Sequence, residues 1–159
     1  RALLNAPPLL ILDEPTTGLD PQVRQLIWDK LRDLMQEGVT ILLSTHYMEE
    51  AYQIADVVMI MDKAEKVIEG PPRDLLADDV EPHVLELNDL SQLEQFEQSL
   101  DGDEVRKEES SRRVVFYARD PQTLERAANS IPRTAYIMRN ANLEDLFLRV
   151  TGRHLNEQQ

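Results

Sequence analysis

The residues best able to do chemistry lie in one short segment, Leu9 to Pro21, which reads LLILDEPTTGLDP. An apolar run, Leu9-Leu10-Ile11-Leu12, ends at two adjacent carboxylates, Asp13 and Glu14. Such a run reads as a buried strand, and ligands of open α/β sheets sit at the C-terminal edge of the strands. Successive side chains of a strand point in opposite directions, so one carboxylate can face a metal while the other faces a nucleophile. Magnesium on a nucleotide takes one or two carboxylates plus water and phosphate oxygens, a role that suits Asp13. Glu14 then suits orienting or deprotonating an attacking water. A second constellation, Ser44-Thr45-His46, closes the next apolar run, Val39 to Leu43. A histidine there can donate a hydrogen bond to a phosphate oxygen at the same sheet edge.

Several elements are needed to hold these groups. Pro7-Pro8 stops the helix suggested by residues 1–5. Asp20-Pro21 predicts a helix start, with Asp as N-cap and Pro at the first helical position. Val23, Ile27, Leu31 and Leu34 then fall on one helical face, and Glu37-Gly38 ends the helix. Trp28, beside that face, reads as packing rather than as a stack for a nucleotide base. A helix over about Met48 to Ala55 carries Glu49 and Glu50 in its first turn, where the helix dipole favours carboxylates. Val57 to Met61 reads as a third strand, Lys66 to Glu69 as its hairpin partner, and Gly70-Pro71-Pro72 as the lead into a short helix through Leu76. Strands separated by helices of this length predict an α/β fold, a parallel sheet with crossover helices.

The composition shifts at residues 77–82, where three acids and a proline gather. This predicts a boundary, with one domain over 1–79, a second over 80–152, and a tail over 153–159. The second domain reads as strand (Val84 to Leu87), helix (Ser91 to Leu100), two strands (Glu104 to Glu108 and Arg113 to Ala118) about a turn at Ser110-Ser111, helix (Pro121 to Asn129) and strand (Ala135 to Arg139). That order is a small α+β split βαβ module of ferredoxin-like type. A last helix over Leu143 to Val150 takes Asn142 as N-cap and Gly152 as its stop.

Composition narrows the class. With 17 Lys+Arg against 30 Asp+Glu the net charge is −13, and neither domain is basic, so broad nucleic-acid binding is not expected. There is no cysteine, which excludes disulfides, thiolate metal sites and cysteine catalysis. No apolar run approaches the roughly 20 residues of a membrane-spanning helix, so no direct membrane insertion is expected. His83 and His154 have no partners at metal-ligand spacing and are given no role. Glu108-Glu109 and Arg112-Arg113 flank a turn and read as a solvated face with weak surface pairs.

LLILDEPTTGLDP resembles the Walker B strand, catalytic glutamate and D-loop of ATP-binding cassette (ABC) ATPases. LLSTHYMEEA resembles their switch-histidine loop, with His46 falling 32 residues after Glu14. This likeness spans about residues 1–76. LEDLFLRVTG, from Leu143 to Gly152, resembles the tail of the drug-resistance and nodulation-type exporter ATPases, which carry a small extra domain after the cassette. The resemblance implies a partial P-loop-type sheet and assigns roles. Asp13 is the metal position, holding magnesium through water. Glu14 and His46 are catalytic, the first polarising the attacking water and the second contacting the γ-phosphate. Asp20 belongs to the nucleotide-coupled interface between two cassettes, and residues 15–19 shape the loop between. ATP and Mg2+ are the implied cofactors. A second ATPase subunit and a separate membrane-spanning permease are the implied partners, at the cytoplasmic face of the cell membrane.

The chain contains no GxxxxGK[ST], no LSGGQ-like segment and no glutamine loop, all of which precede this strand in the family. With Arg1 not preceded by Met, the chain is read as the C-terminal part of such an ATPase, inactive by itself. Lys63-Ala64-Glu65-Lys66 stands where the family usually has a glycine in the hairpin turn. The rival readings are a non-catalytic ligand- or partner-binding module and a non-transport ABC ATPase. A ligand that stabilises residues 80–152 without nucleotide marks the first; basic patches and a different ending mark the second.

Overall fold

A computed structural model describes residues 7–100, 105–110 and 113–152. The chain divides into two compact units, Arg1–Val58 and Met59–Gln159. The expected helix over residues 1–5, the second half of the Ser110-Ser111 turn, Arg112 and the tail with His154 lie outside the described residues.

In the first unit, β1 (Leu9–Asp13) pairs in parallel with β2 (Thr40–Ser44), in register from Leu9 opposite Thr40 to Asp13 opposite Ser44. Parallel neighbours need a crossover, and α1 (Pro21–Gln36) supplies it. Asp20 caps α1 by accepting from the Val23 amide at 3.1 Å, and Gly38, at φ 91, turns the chain out of it. A short helix, α2 (Met48–Ile54), follows β2. Leu10, Trp28, Leu31, Leu34 and Ile54 form the core, with Leu12, Ile27, Ile41 and Leu43 packed against it. The buried stripe of α1 is rotated from the expected one, because Trp28 takes the centre and Val23 is left 39% exposed. β1 is buried on one face only. Leu9, Ile11 and Leu42 point away from α1 and are exposed, although the apolar run reads as a strand covered on both sides.

The second unit begins at Met59, the second residue of β3 (Val58–Asp62), which forms a hairpin with β4 (Glu65–Gly70). Its two-residue turn, Lys63-Ala64, has φ 50 and 64, the left-handed pair of a type I′ turn built without glycine. After α3 (Pro72–Asp79) comes a four-stranded antiparallel sheet in the order β6-β7-β5-β8. Its strands are β5 (His83–Leu87), β6 (Val105–Glu109), β7 (Val114–Ala118) and β8 (Tyr136–Asn140). With α4 (Leu93–Gln98) and α5 (Pro121–Ala128) as crossovers, this is the split βαβ arrangement that the element order predicts. The segment read as one helix from Ser91 is instead a 3-10 turn over Leu90–Gln92 followed by α4, with Asp89 accepting from the Ser91 amide.

One sheet face carries Leu85, Leu87, Val114, Phe116 and Ala118 into a core with Phe96 of α4 and Leu124, Ala127 and Ala128 of α5. By alternation Val84, Val115 and Tyr117 point to the other face and are also buried. There Tyr117 meets α6 (Leu143–Thr151), whose Asp145 accepts from the Tyr117 hydroxyl at 3.0 Å. The acidic stretch expected to mark a boundary near residue 79 is anchored within this unit. Val80 is fully buried, and Glu81 pairs with Arg106 of β6 and Arg149 of α6.

Candidate functional site

The parallel register places the ends of β1 and β2 side by side, and Asp13, Glu14 and His46 gather there. Asp13 lies opposite Ser44, and the Ser44 hydroxyl donates to Asp13 Oδ1. One residue on, the Glu14 amide still donates to the Ser44 carbonyl at 2.9 Å. The chain then leaves the strand abruptly, because Glu14 adopts φ 48, a left-handed conformation that a residue with a Cβ rarely takes. Two overlapping turns follow, Thr17 N to Glu14 O and Leu19 N to Thr16 O, each at 3.2 Å.

The Glu14 carboxylate is held by two donors on one oxygen. Thr17 Oγ1 donates to Oε2 at 2.9 Å, and His46 Nδ1 lies 2.7 Å from the same atom. A carboxylate only accepts, so the Nδ1 hydrogen points at Glu14 and Nε2 is the nitrogen open to a ligand. Both side chains remain accessible, Glu14 at 36% and His46 at 60% exposure. The structure thus brings together Asp13, Ser44, Glu14 and His46, from sequence positions about 30 residues apart. Asp20 stands apart. Its Oδ1 caps α1, and among the described residues it makes no hydrogen bond to Asp13, Ser44, Glu14 or His46.

Glu50 is the residue whose importance the sequence reading missed. It is fully buried, and its Oε1 accepts from Thr16 Oγ1 at 2.9 Å and from Trp28 Nε1 at 3.0 Å. Glu49 and Glu50 look equivalent in the first turn of α2, yet only Glu50 shares the helix face of the buried Ile54, one turn along. That i, i+4 relation to a core residue was the available signal. Trp28 is the packing residue expected, at 4% exposure, with its one polar atom tied to Glu50.

Asp13 and Ser44 offer hard oxygen donors, the type magnesium prefers. Among the described residues no group of three or more His, Asp or Glu side chains could hold an ion by protein ligands alone. The edge therefore presents two carboxylates and a histidine at the strand ends where open α/β sheets bind their ligands.

Comparison with known proteins finds relatives over nearly the whole chain. Residues 92–152 match the family model of the nodulation factor export protein NodI, C-terminal domain. Residues 2–50 match an AAA domain model named for an AbiEii toxin of a type IV toxin–antitoxin system. Nod factor export ATP-binding protein I of Ralstonia nicotianae is 42% identical over 165 residues, an alignment covering 99% of this chain and 50% of the relative. The protein of the same name from Cupriavidus pinatubonensis is 43% identical over 157 residues, covering 99% and 48%. Among solved structures, cbiO1 of Clostridium perfringens, part of the ABC transporter complex cbiONQ, aligns at 36% identity with a TM-score of 0.42, over 45% of this chain and 29% of that one. The chain is thus similar along nearly its whole length to Nod factor export ATP-binding proteins, and over residues 92–152 to the NodI C-terminal domain. It spans about half the length of the curated relatives it matches.

Proposed function

We propose that the protein containing this chain is the ATP-hydrolysing subunit of an ABC exporter. It works as a pair of cassettes at the cytoplasmic face of a membrane and drives a separate permease. The carrying observation is the hydrogen bond between His46 Nδ1 and Glu14 Oε2 at the shared end of two parallel strands. Among the described residues no helix is long and apolar enough to cross a membrane.

In this reading Asp13, steadied by the Ser44 hydroxyl, is the residue toward magnesium, through water. Bound magnesium supplies charge neutralisation on the phosphates. Glu14 orients the attacking water and accepts its proton. Its carboxylate is already aimed by Thr17 and His46, so little reorganisation is needed when charge develops. His46 donates through Nε2 to a γ-phosphate oxygen while Nδ1 stays on Glu14, which requires the doubly protonated ring. Asp20, exposed at the end of the loop, is offered to the second cassette. Residues 1–79 complete the ATPase domain and residues 80–152 form an accessory module. The chain by itself, without a phosphate-cradling loop, is inactive.

Glu14→Gln in the full-length protein tests this. Turnover should fall by on the order of 10²–10⁴-fold, the usual worth of a positioned base. ATP binding should persist and the paired form should accumulate. Turnover at the wild-type rate would sink the role given to Glu14.

A further inference from the structure

We propose that Glu50 is a positioning residue for hydrolysis, a buried clamp that fixes the loop carrying Glu14 relative to the segment carrying His46. The inference rests on the reading that Glu14 and His46 do the chemistry.

Three elements converge on one carboxylate oxygen. Thr16 comes from the loop two residues after Glu14, Trp28 from the middle of α1, and Glu50 from the first turn of α2, four residues after His46. Thr16 and Glu50 are both at 0% exposure and Trp28 at 4%, so the junction is closed to solvent and to any surface ligand. Burying a carboxylate is costly unless donors meet it, and a fold that needed only packing here would place an aliphatic side chain. Here Oε1 takes both donors, the Thr16 hydroxyl of the loop and the Trp28 indole of α1, while among the described residues Oε2 has none.

The clamp reaches both reacting groups through short rigid paths. On the loop side, Thr16 accepts the Leu19 amide on its carbonyl, and the adjacent Thr17 donates to Glu14 Oε2. Releasing Thr16 therefore frees the turn that aims the Glu14 carboxylate. On the histidine side, the Thr45 hydroxyl accepts the Tyr47 amide, and the Tyr47 carbonyl accepts from Ala51, next to Glu50. The backbone from His46 to Glu50 is thus a hydrogen-bonded unit seated on the same oxygen. Glu14 departs from its strand in a left-handed conformation, a geometry that persists only where its surroundings over-determine it. The Thr16–Glu50 bond supplies part of that constraint.

Thr16→Val in the full-length ATPase keeps the shape and removes the hydroxyl. A displacement of about 1 Å at reacting groups costs up to about 10²-fold in rate. We expect kcat to fall at least about 10-fold, while the KM for ATP stays within about twofold because Thr16 touches no ligand. Thr16→Ser, which keeps the donor, should return most of the lost kcat; a packing defect alone would not be rescued this way. Thr16→Ala provides a second hydroxyl-free variant should the valine fold poorly, checked by melting temperature. Wild-type kcat in Thr16→Val or Thr16→Ala, or a serine variant as slow as the valine one, overturns the clamp. Glu14→Gln run alongside separates the two claims. If it is inactive while the Thr16 variants are normal, only the clamp fails; if it turns over normally, the underlying reading fails.

Discussion

Asp145 anchors the end of the second unit, and its replacement by Asn should be among the most damaging single changes there. The side chain is 3% exposed and meets four donors. Arg139 reaches its two oxygens at 2.6 and 2.9 Å, Tyr117 donates at 3.0 Å, and the Asn142 amide closes a capping box at 2.9 Å. Breaking a buried pair by removing one charge costs about 3–5 kcal/mol. Arg139 is 26% exposed and recovers some hydration, so the low end, about 3 kcal/mol, applies. For a unit of this size that is a fall in melting temperature of roughly 12–24 °C, at about 4–8 °C per kcal/mol. Thermal and urea melts give the total. Hydrogen exchange over residues 143–151 shows whether α6 is released. The pH dependence has a definite sign. Burial pushes the Asp145 carboxyl up, but Arg139, the Asn142 amide and Tyr117 together hold it below the ordinary value of 3.8. The stabilisation is therefore complete above that value and is lost as pH falls through the lower, folded one. The gap between wild type and Asp145→Asn should be full at pH 7 and close below about pH 3.8. A loss under about 1 kcal/mol at neutral pH, the worth of a surface pair, would refute the network.

Two further changes test local features. Replacing Lys63-Ala64 with Asn-Gly should stabilise the protein by about 1 kcal/mol. It relieves about 1–2 kcal/mol of left-handed strain per residue, offset in part by the entropy glycine adds to the unfolded chain, and a urea melt reads the difference. Asp20→Ala should cost about 1 kcal/mol through the lost cap of α1; an unchanged melt would show that its carboxylate is not committed to the helix.

The parts of the fold legible in the sequence are those set by local chemistry. Asp20-Pro21 and Asn142 cap their helices, and Gly38 and Gly152 end theirs with φ 91 and 65, because few other residues do these jobs well. The order of strands and helices beyond Pro82 predicted the antiparallel sheet for the same reason. What depends on the third dimension was not legible. Val23 fits the apolar period of α1, yet tertiary packing rotates the helix toward Trp28. Residues 77–82 look like a linker by composition, but Val80 and Glu81 are drawn into the second unit by contacts with α6 and β6. At the candidate site, the adjacency of Asp13 and Glu14 to His46 follows from the two strand ends that the apolar runs mark. Glu50 was not legible, because nothing in one sequence separates it from Glu49 except the face on which it lies.

The junction at Glu50 also has an evolutionary consequence. Positions 16, 28 and 50 are far apart in sequence but share one oxygen, so they are not free to drift independently. A lineage that replaces Trp28 with an aromatic lacking the indole N–H leaves one donor on the carboxylate. One that also loses the hydroxyl at position 16 leaves none, and a buried acid there becomes a liability. Across homologues a hydroxyl at 16 and an acid or amide at 50 should therefore come and go together, with Trp28 following more loosely.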